Sequence, residues 1–243
     1  MPLTLGLIYG EAWELYRLLM RRSILTAFLV FAVVDGVGQL SGLPESTPAR
    51  VVLGLLSFVL TFSGPVVVQG ALVHIVRNIH EGRPPERIPA LVRAAGRRFW
   101  SLLGASILYG LGVLVGLVLL VVPGVVVAAR WCLLAPLIML EGQFVQPARE
   151  RSAQLVRGHT ATVARIVVVT FVLTAVVFWP LAFADVNPGI RFVLVLAWSS
   201  VTAPFSAHVL TVLYYRLTEP ERPVIHEDVR RWKSVWAGPT AEG

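Results

Sequence analysis

The chain has 243 residues, of which 56% are hydrophobic and only 14% charged, with a mean hydropathy of +0.74. A soluble domain carries about a quarter charged residues, so a water-soluble fold is excluded and lipid must surround most of the apolar side chains. The net charge of +7 comes from 21 Lys+Arg against 14 Asp+Glu. With no basic stretch interleaved with aromatics on a polar domain, it marks a cytoplasmic membrane face rather than nucleic-acid binding.

From Leu5 to Arg22, apolar positions at Leu5, Ile8, Tyr9, Ala12, Tyr16 and Leu19 follow helical spacing, with Glu11, Glu14, Arg17 and Arg21 largely off that stripe. This predicts an amphipathic helix lying on the membrane surface, with Trp13 and the tyrosines in the headgroup zone. It precedes the first apolar run without a small-x-small cleavage site, which argues against a cleavable signal peptide.

Six spans follow, at about residues 24–40, 51–76, 99–122, 125–140, 166–184 and 192–215. The fold class is therefore all-α: a polytopic helical bundle over residues 1–218, followed by a cytoplasmic tail over 219–243. Ser41 to Arg50 forms one turn, Asp185 to Gly189 another, and Pro123-Gly124 the outer turn between the third and fourth spans. Gly112 and Gly116, four apart in the third span, leave room for a neighbouring helix to come close. Pro65, Pro136, Pro180 and Pro204 interrupt four spans. Amphipathic segments are expected before the third and fifth spans. Another, with Ile225, Val229, Trp232 and Trp236 on one face, is expected in the tail.

The arginines give the orientation. The N-terminal segment, 77–98, 147–165 and the tail from Arg216 hold 18 of the 21 Lys+Arg. Positive charge is retained inside, so the prediction is a multi-pass protein of the cytoplasmic membrane with both termini cytoplasmic. The basic segments YRLLMRRSIL, LVRAAGRRFW and QLVRGHTATVARIV precede the first, third and fifth spans. They read either as a threefold repeat of surface helix plus hairpin or as basic loops of the ordinary kind.

Two charges fall inside spans, Asp35 and Arg130. Arg130 lies six residues beyond the Pro-Gly turn, about 9 Å deep at the helical rise, and Asp35 lies at a similar depth. An intramembrane Asp35–Arg130 ion pair is one expectation, and an Arg130 that reaches alone to the outer headgroups is the other. At the inner boundary, Glu141 and Arg151 form a second candidate unit, either a gate or proton site or a cap that orders the helix from Ala148 to Gly158.

No metal or cofactor is expected. Cys132 is the single cysteine, and the five histidines are scattered without a zinc-binding helix motif. No Gly-x-Ser-x-Gly or phosphate-binding Gly-rich loop occurs, so the expectation is a protein that is not an enzyme.

One stretch carries a family resemblance. Pro123-Gly124, Arg130, Pro136 and Glu141-Gly142 are followed by Ala148, Arg151, Ser152, Leu155 and Gly158. This pattern resembles the membrane domain fused to some glycerophosphodiester phosphodiesterases, also found as stand-alone uncharacterised bacterial integral membrane proteins. The resemblance implies a polytopic membrane fold with no established activity of its own. The phosphodiesterase barrel and its metal ligands have no counterpart here, so any catalytic partner would be on another chain.

Two functions compete. One is a non-enzymatic, lipid-associated scaffold or accessory protein that engages anionic headgroups or a partner protein through its arginines and surface helices. The alternative is a transporter or lipid-moving protein for an amphiphilic substrate, using Asp35, Arg130 and the proline-interrupted helices. A tightly packed bundle would favour the first, and a polar or amphiphile-sized groove reaching Arg130 the second.

Overall fold

A computed structural model of the chain describes residues 3–40, 47–183, 186–219 and 225–236. Every regular element among them is helical: α1 (Leu5–Leu40), α2 (Thr47–His80), α3 (Ile88–Arg97), α4 (Phe99–Leu119), α5 (Val121–Trp131), α6 (Leu134–Leu140), α7 (Val145–Val156), α8 (Thr160–Phe183), α9 (Pro188–Thr218) and α10 (Ile225–Trp236). Among the described residues, three helical stretches are long and apolar enough to cross a membrane: Phe99–Leu119, Val121–Leu140 (α5 with α6) and Gly189–Thr218. The pair Val145–Val156 and Thr160–Val176, bent by 112°, makes a fourth if it counts as one broken span.

The C-terminal half of α2 is the hub. Val66, Val68, Ala71, Leu72, Val73, Ile75, Val76 and Ile79 are buried around almost its whole circumference, as expected of a helix enclosed by others. It touches α1, α3, α4, α6, α9 and α10. At Gly70 the missing side chain admits Leu102 of α4, Ala95 of α3 and Met139 of α6. The exterior is apolar instead. Val52, Leu55, Trp100, Leu114, Val118 and Phe171 are all well exposed, a surface suited to hydrocarbon and not to water.

The structure redraws several expected boundaries. The N-terminal segment is not a separate surface helix: α1 runs unbroken from Leu5 into the first span. Ile8, Ala12, Leu15, Tyr16 and Leu19 are buried in the core, and α9 is its main neighbour. The physical reason is a pair of anchors on the polar side of that stripe. Glu11 accepts from Arg216 Nε at 2.9 Å with both side chains nearly buried, and Tyr16 donates to the Val201 carbonyl at 3.2 Å. Pro65, Pro180 and Pro204 lie inside continuous helices and interrupt nothing.

The outer turn also moves. Leu120 alone separates α4 from α5, with extended backbone, and Pro123-Gly124 falls in the first turn of α5. A proline is at home there because first-turn amides have no helical acceptor. The predicted turn from Ser41 to Arg50 lies outside the described residues over 41–46 and is helical from Thr47, the start of α2; that from Asp185 to Gly189 enters α9 at Pro188, with 185 outside the described residues, as are 220–224 and 237–243 of the tail.

Candidate functional site

The stretch with the family resemblance folds as one local unit, beginning with the α4–α5 hairpin. Gly112 leaves space for the Trp131 ring, and a Cβ on Gly116 would stand 2.6 Å from the Cα of Gly124. Two backbones can approach that closely only where both side chains are absent. Gly112, Gly116 and Gly124 thus set the separation of the hairpin.

Below the hairpin the helix breaks. Pro136 has no amide to offer the carbonyl four residues back, and its ring crowds that turn. α5 ends at Trp131 and α6 begins at Leu134, with Cys132 and Leu133 between them. Backbone groups that flank the break find side-chain partners. Cys132 Sγ donates to the Ala129 carbonyl at 3.1 Å. Ser152 Oγ donates to the Arg130 carbonyl at 2.6 Å and accepts from the Leu133 amide at 3.4 Å. Ser152 is fully buried. In a bilayer each of these backbone groups would otherwise cost several kcal/mol.

Ser152 is delivered by α7. Ala148, Ser152 and Val156, at intervals of four, form its buried edge. Val145, at its start, packs by Gly104 of α4, whereas Ser152 reaches the break. The chain therefore doubles back after α6, and α7 runs along the broken span. An amphipathic segment is expected before the fifth span; α7 has one buried edge, and that edge carries the hydroxyl that bonds both sides of the break. The Arg149 guanidinium adds a cation–π contact, 5.6 Å from the Trp131 ring centroid.

The inner end of α6 is capped by charges. Arg77 donates to the Met139 carbonyl at 3.4 Å and Arg98 to the Gly142 carbonyl at 3.0 Å, the partners that a helix C-terminus favours. Glu141 accepts from Gln143 at 2.6 Å and from Tyr214 at 3.0 Å, and Arg151 stands 3.9 Å away. Gly142 (φ +71°) and Gly158 (φ +91°) follow the ends of α6 and α7 in the left-handed region, where a Cβ is penalised. Glu141, Gly142, Arg151, Ser152 and Gly158 thus have structural work to do here.

Asp35 and Arg130 are not brought together. No ion pair joins them among the described residues. α1 packs mainly on α9, α2 and α10, whereas α5 packs on α4, α8 and α7. Similar depth in two spans says nothing about whether those spans are neighbours. The Arg130 side chain is exposed on the surface of the bundle, and its carbonyl is what the fold uses.

Beside this unit lies a cavity of about 550 Å³. Its walls come from α4, α5, α6 and α8, and it reaches Gln69 of α2 and Ser206 of α9. Ala128 and Trp131, close in sequence to Arg130, line it, and Arg130 does not. Sequence reasoning missed this cavity because no single helix carries a signal for it.

No group of three or more His, Cys, Asp or Glu side chains is placed to hold a metal among the described residues. A second polar cluster, not foreseen, fastens α10 at the inner end of α2. His80 Nδ1 lies 3.1 Å from Asp228 and its Nε2 lies 3.6 Å from Glu219, while Trp232 Nε1 donates to the Arg83 carbonyl.

No family model matches the chain, and no curated protein or solved structure is similar to it.

Proposed function

We propose that this chain is a six-span integral membrane protein of the cytoplasmic membrane, with both termini cytoplasmic. In this reading it works without a catalytic centre, as a lipid-associated scaffold or accessory protein. The family proposed for it is the membrane domain of the glycerophosphodiester phosphodiesterase fusions, on the motif from Pro123 to Gly158.

The supporting observation is α3. This ten-residue helix buries Leu91 and Ala95 and exposes Arg93 and Arg97, with Arg87 exposed just before it. These three arginines form no ion pair among the described residues, unlike Arg77, Arg83 and Arg216. An amphipathic helix with outward arginines at the inner end of a span suits anionic headgroups, at about 1 kcal/mol per arginine near the surface.

The test is thermal stability in nanodiscs of phosphatidylglycerol against phosphatidylcholine, at low and high salt. The expected result is a salt-sensitive stabilisation by the anionic lipid that shrinks in Arg93→Gln/Arg97→Gln. Equal stability in both lipids would sink the reading.

A second reading, in which an amphiphile is carried across the bilayer, has the size and apolar lining of the cavity in its support, while Arg130 stands outside that lining. A labelled-lipid movement assay in proteoliposomes, comparing wild type with Arg130→Ala, separates the two. Absence of any movement removes the second reading and leaves the first.

A further inference from the structure

We infer that the cavity between α4, α5 and α8 binds one uncharged lipid, a hydrocarbon tail joined to a head that carries carbonyl or hydroxyl oxygen. About 550 Å³ is ample for a small-molecule site, within the usual range of about 300–1,000 Å³. The cavity is also elongated. Its lining runs along α4 from Leu102 to Leu117, about 22 Å at the helical rise, which fits a chain better than a compact solute.

The chemistry of the two ends differs. The outer end, around Leu117, Gly124 and Val125, has no polar side chain. Toward the other end the lining includes Gln69, Ser106 and Tyr109. Ser106 and Tyr109 are three apart and share a face of α4, and Gln69 adjoins the Gly70 that packs on Leu102. The hydroxyls on the α8 and α9 walls are already spent on their own helices. Thr170 donates to the Ile166 carbonyl at 2.9 Å, Thr174 to the Phe171 carbonyl at 2.8 Å, and Ser206 to the Thr202 carbonyl at 2.7 Å. Gln69, Ser106 and Tyr109 make no hydrogen bond to another described residue. They are the groups free to meet a ligand, and between them they offer amide and hydroxyl donors together with acceptors.

Charge excludes the common headgroups. None of the lining residues is Asp, Glu, Lys, Arg or His. A phosphate drawn into this site would lose its hydration without a compensating cation, which is prohibitive in an apolar surround. Entry is lateral. Leu117, Val168 and Phe171 belong to the lining and are also exposed on the apolar exterior, so the tail can pass between cavity and bilayer. Diacylglycerol and an isoprenoid-tailed quinone both present this chemistry.

This inference rests on the cavity alone, not on the anionic-lipid reading of α3 or on lipid movement. Its readout is separate from theirs. The full-length protein is reconstituted in phosphatidylcholine vesicles with a diacylglycerol bearing a photoactivatable acyl chain, and labelled peptides are mapped. The expected result is saturable labelling in segments of α4, α5 and α8 that line the cavity. Unlabelled diacylglycerol or isoprenoid quinone displaces it, whichever competes better naming the source, and excess phosphatidylglycerol does not. Ala128→Phe fills the cavity and abolishes the saturable component. Gln69→Leu/Tyr109→Phe, which preserves volume, raises the half-saturating concentration about fivefold, the worth of a lost hydrogen bond or two. Labelling that does not saturate overturns the inference, as does displacement by phosphatidylglycerol. So does wild-type half-saturation in the Gln69→Leu/Tyr109→Phe protein, which decides the matter if Ala128→Phe does not fold.

Discussion

Pro204 and Pro136 each sit in an apolar stretch long enough to cross a membrane, yet α9 passes its proline unbroken and α5–α6 splits. The difference is what stands beside each stretch. Around Pro204 the hydroxyls of α9 bond back along their own helix, Ser200 to the Leu196 carbonyl at 2.7 Å, Thr202 to Trp198 at 2.9 Å and Ser206 to Thr202 at 2.7 Å, where each only adds to a ladder bond already made. Tyr16 adds one bond from outside, to the Val201 carbonyl. At the α5–α6 break the main partner belongs to another helix, and it is bifunctional. Ser152 serves the Arg130 carbonyl on one side and the Leu133 amide on the other. A proline frees backbone groups, and in lipid those groups must be met within the protein. α9 stays whole with the rest of its ladder in place, whereas α5–α6 opens beside a neighbour that bonds both sides of the break, and that neighbour becomes part of the fold.

The sharpest way to break this comparison is to remove the external partner. Ser152→Ala leaves one buried donor and one buried acceptor unmatched, and the expected loss is about 3 kcal/mol of stability, read by denaturant titration in detergent. Ser206→Ala in α9 removes a hydroxyl whose loss leaves the helical ladder in place, so a loss of about 1 kcal/mol or less is expected there. Equal losses at the two sites would mean that Ser152 has no special role.

A second test concerns the hairpin that holds the upper half of the broken span. In Gly116→Ala the new Cβ would lie 2.6 Å from the backbone of Gly124, and backbone cannot rotate away. The expected cost is about 2 kcal/mol from forced separation of α4 and α5. Gly96→Ala is the control, since nothing lies within 4 Å of the position a Cβ would take on that exposed helix. There the change should be neutral or slightly stabilising, by up to about 1 kcal/mol, because alanine favours the helix.

These sites also show what could be read from the sequence and what could not. Helical class and the apolar stretches follow from periodicity and composition, which are local properties, whereas the residues of the motif are picked out by the resemblance. The role of Ser152 was not legible, because a serine between arginines looks like solvent-facing polarity until the break it serves is in place. The Asp35–Arg130 pairing failed for a related reason. Counting residues gives depth along a span but not which spans are adjacent, and α1 and α5 have different principal neighbours. The fusion of the N-terminal segment with the first span was hidden too. Arg17, Arg21 and Arg22 read as a membrane boundary, whereas burial against α9 and the Glu11–Arg216 pair keep the helix going.

The smallest expected effect tests the cause of the break most directly. If Pro136 alone forced the helix open, Pro136→Ala would restore the amide, close the break and draw Cys132 into a regular turn. If the docked α7 holds the break open, the variant keeps it, because Ser152 already satisfies both of its flanks and Ala148 and Val156 remain buried beside it. The second outcome is expected, with a stability change within about 1 kcal/mol. Cys132 reports on this independently of stability, being a buried free thiol at the break itself. Its reaction with a membrane-permeant maleimide should stay slow in Pro136→Ala and become faster in Ser152→Ala, where α7 loosens. A rate that rises in Pro136→Ala and not in Ser152→Ala would assign the break to the proline and reduce α7 to packing.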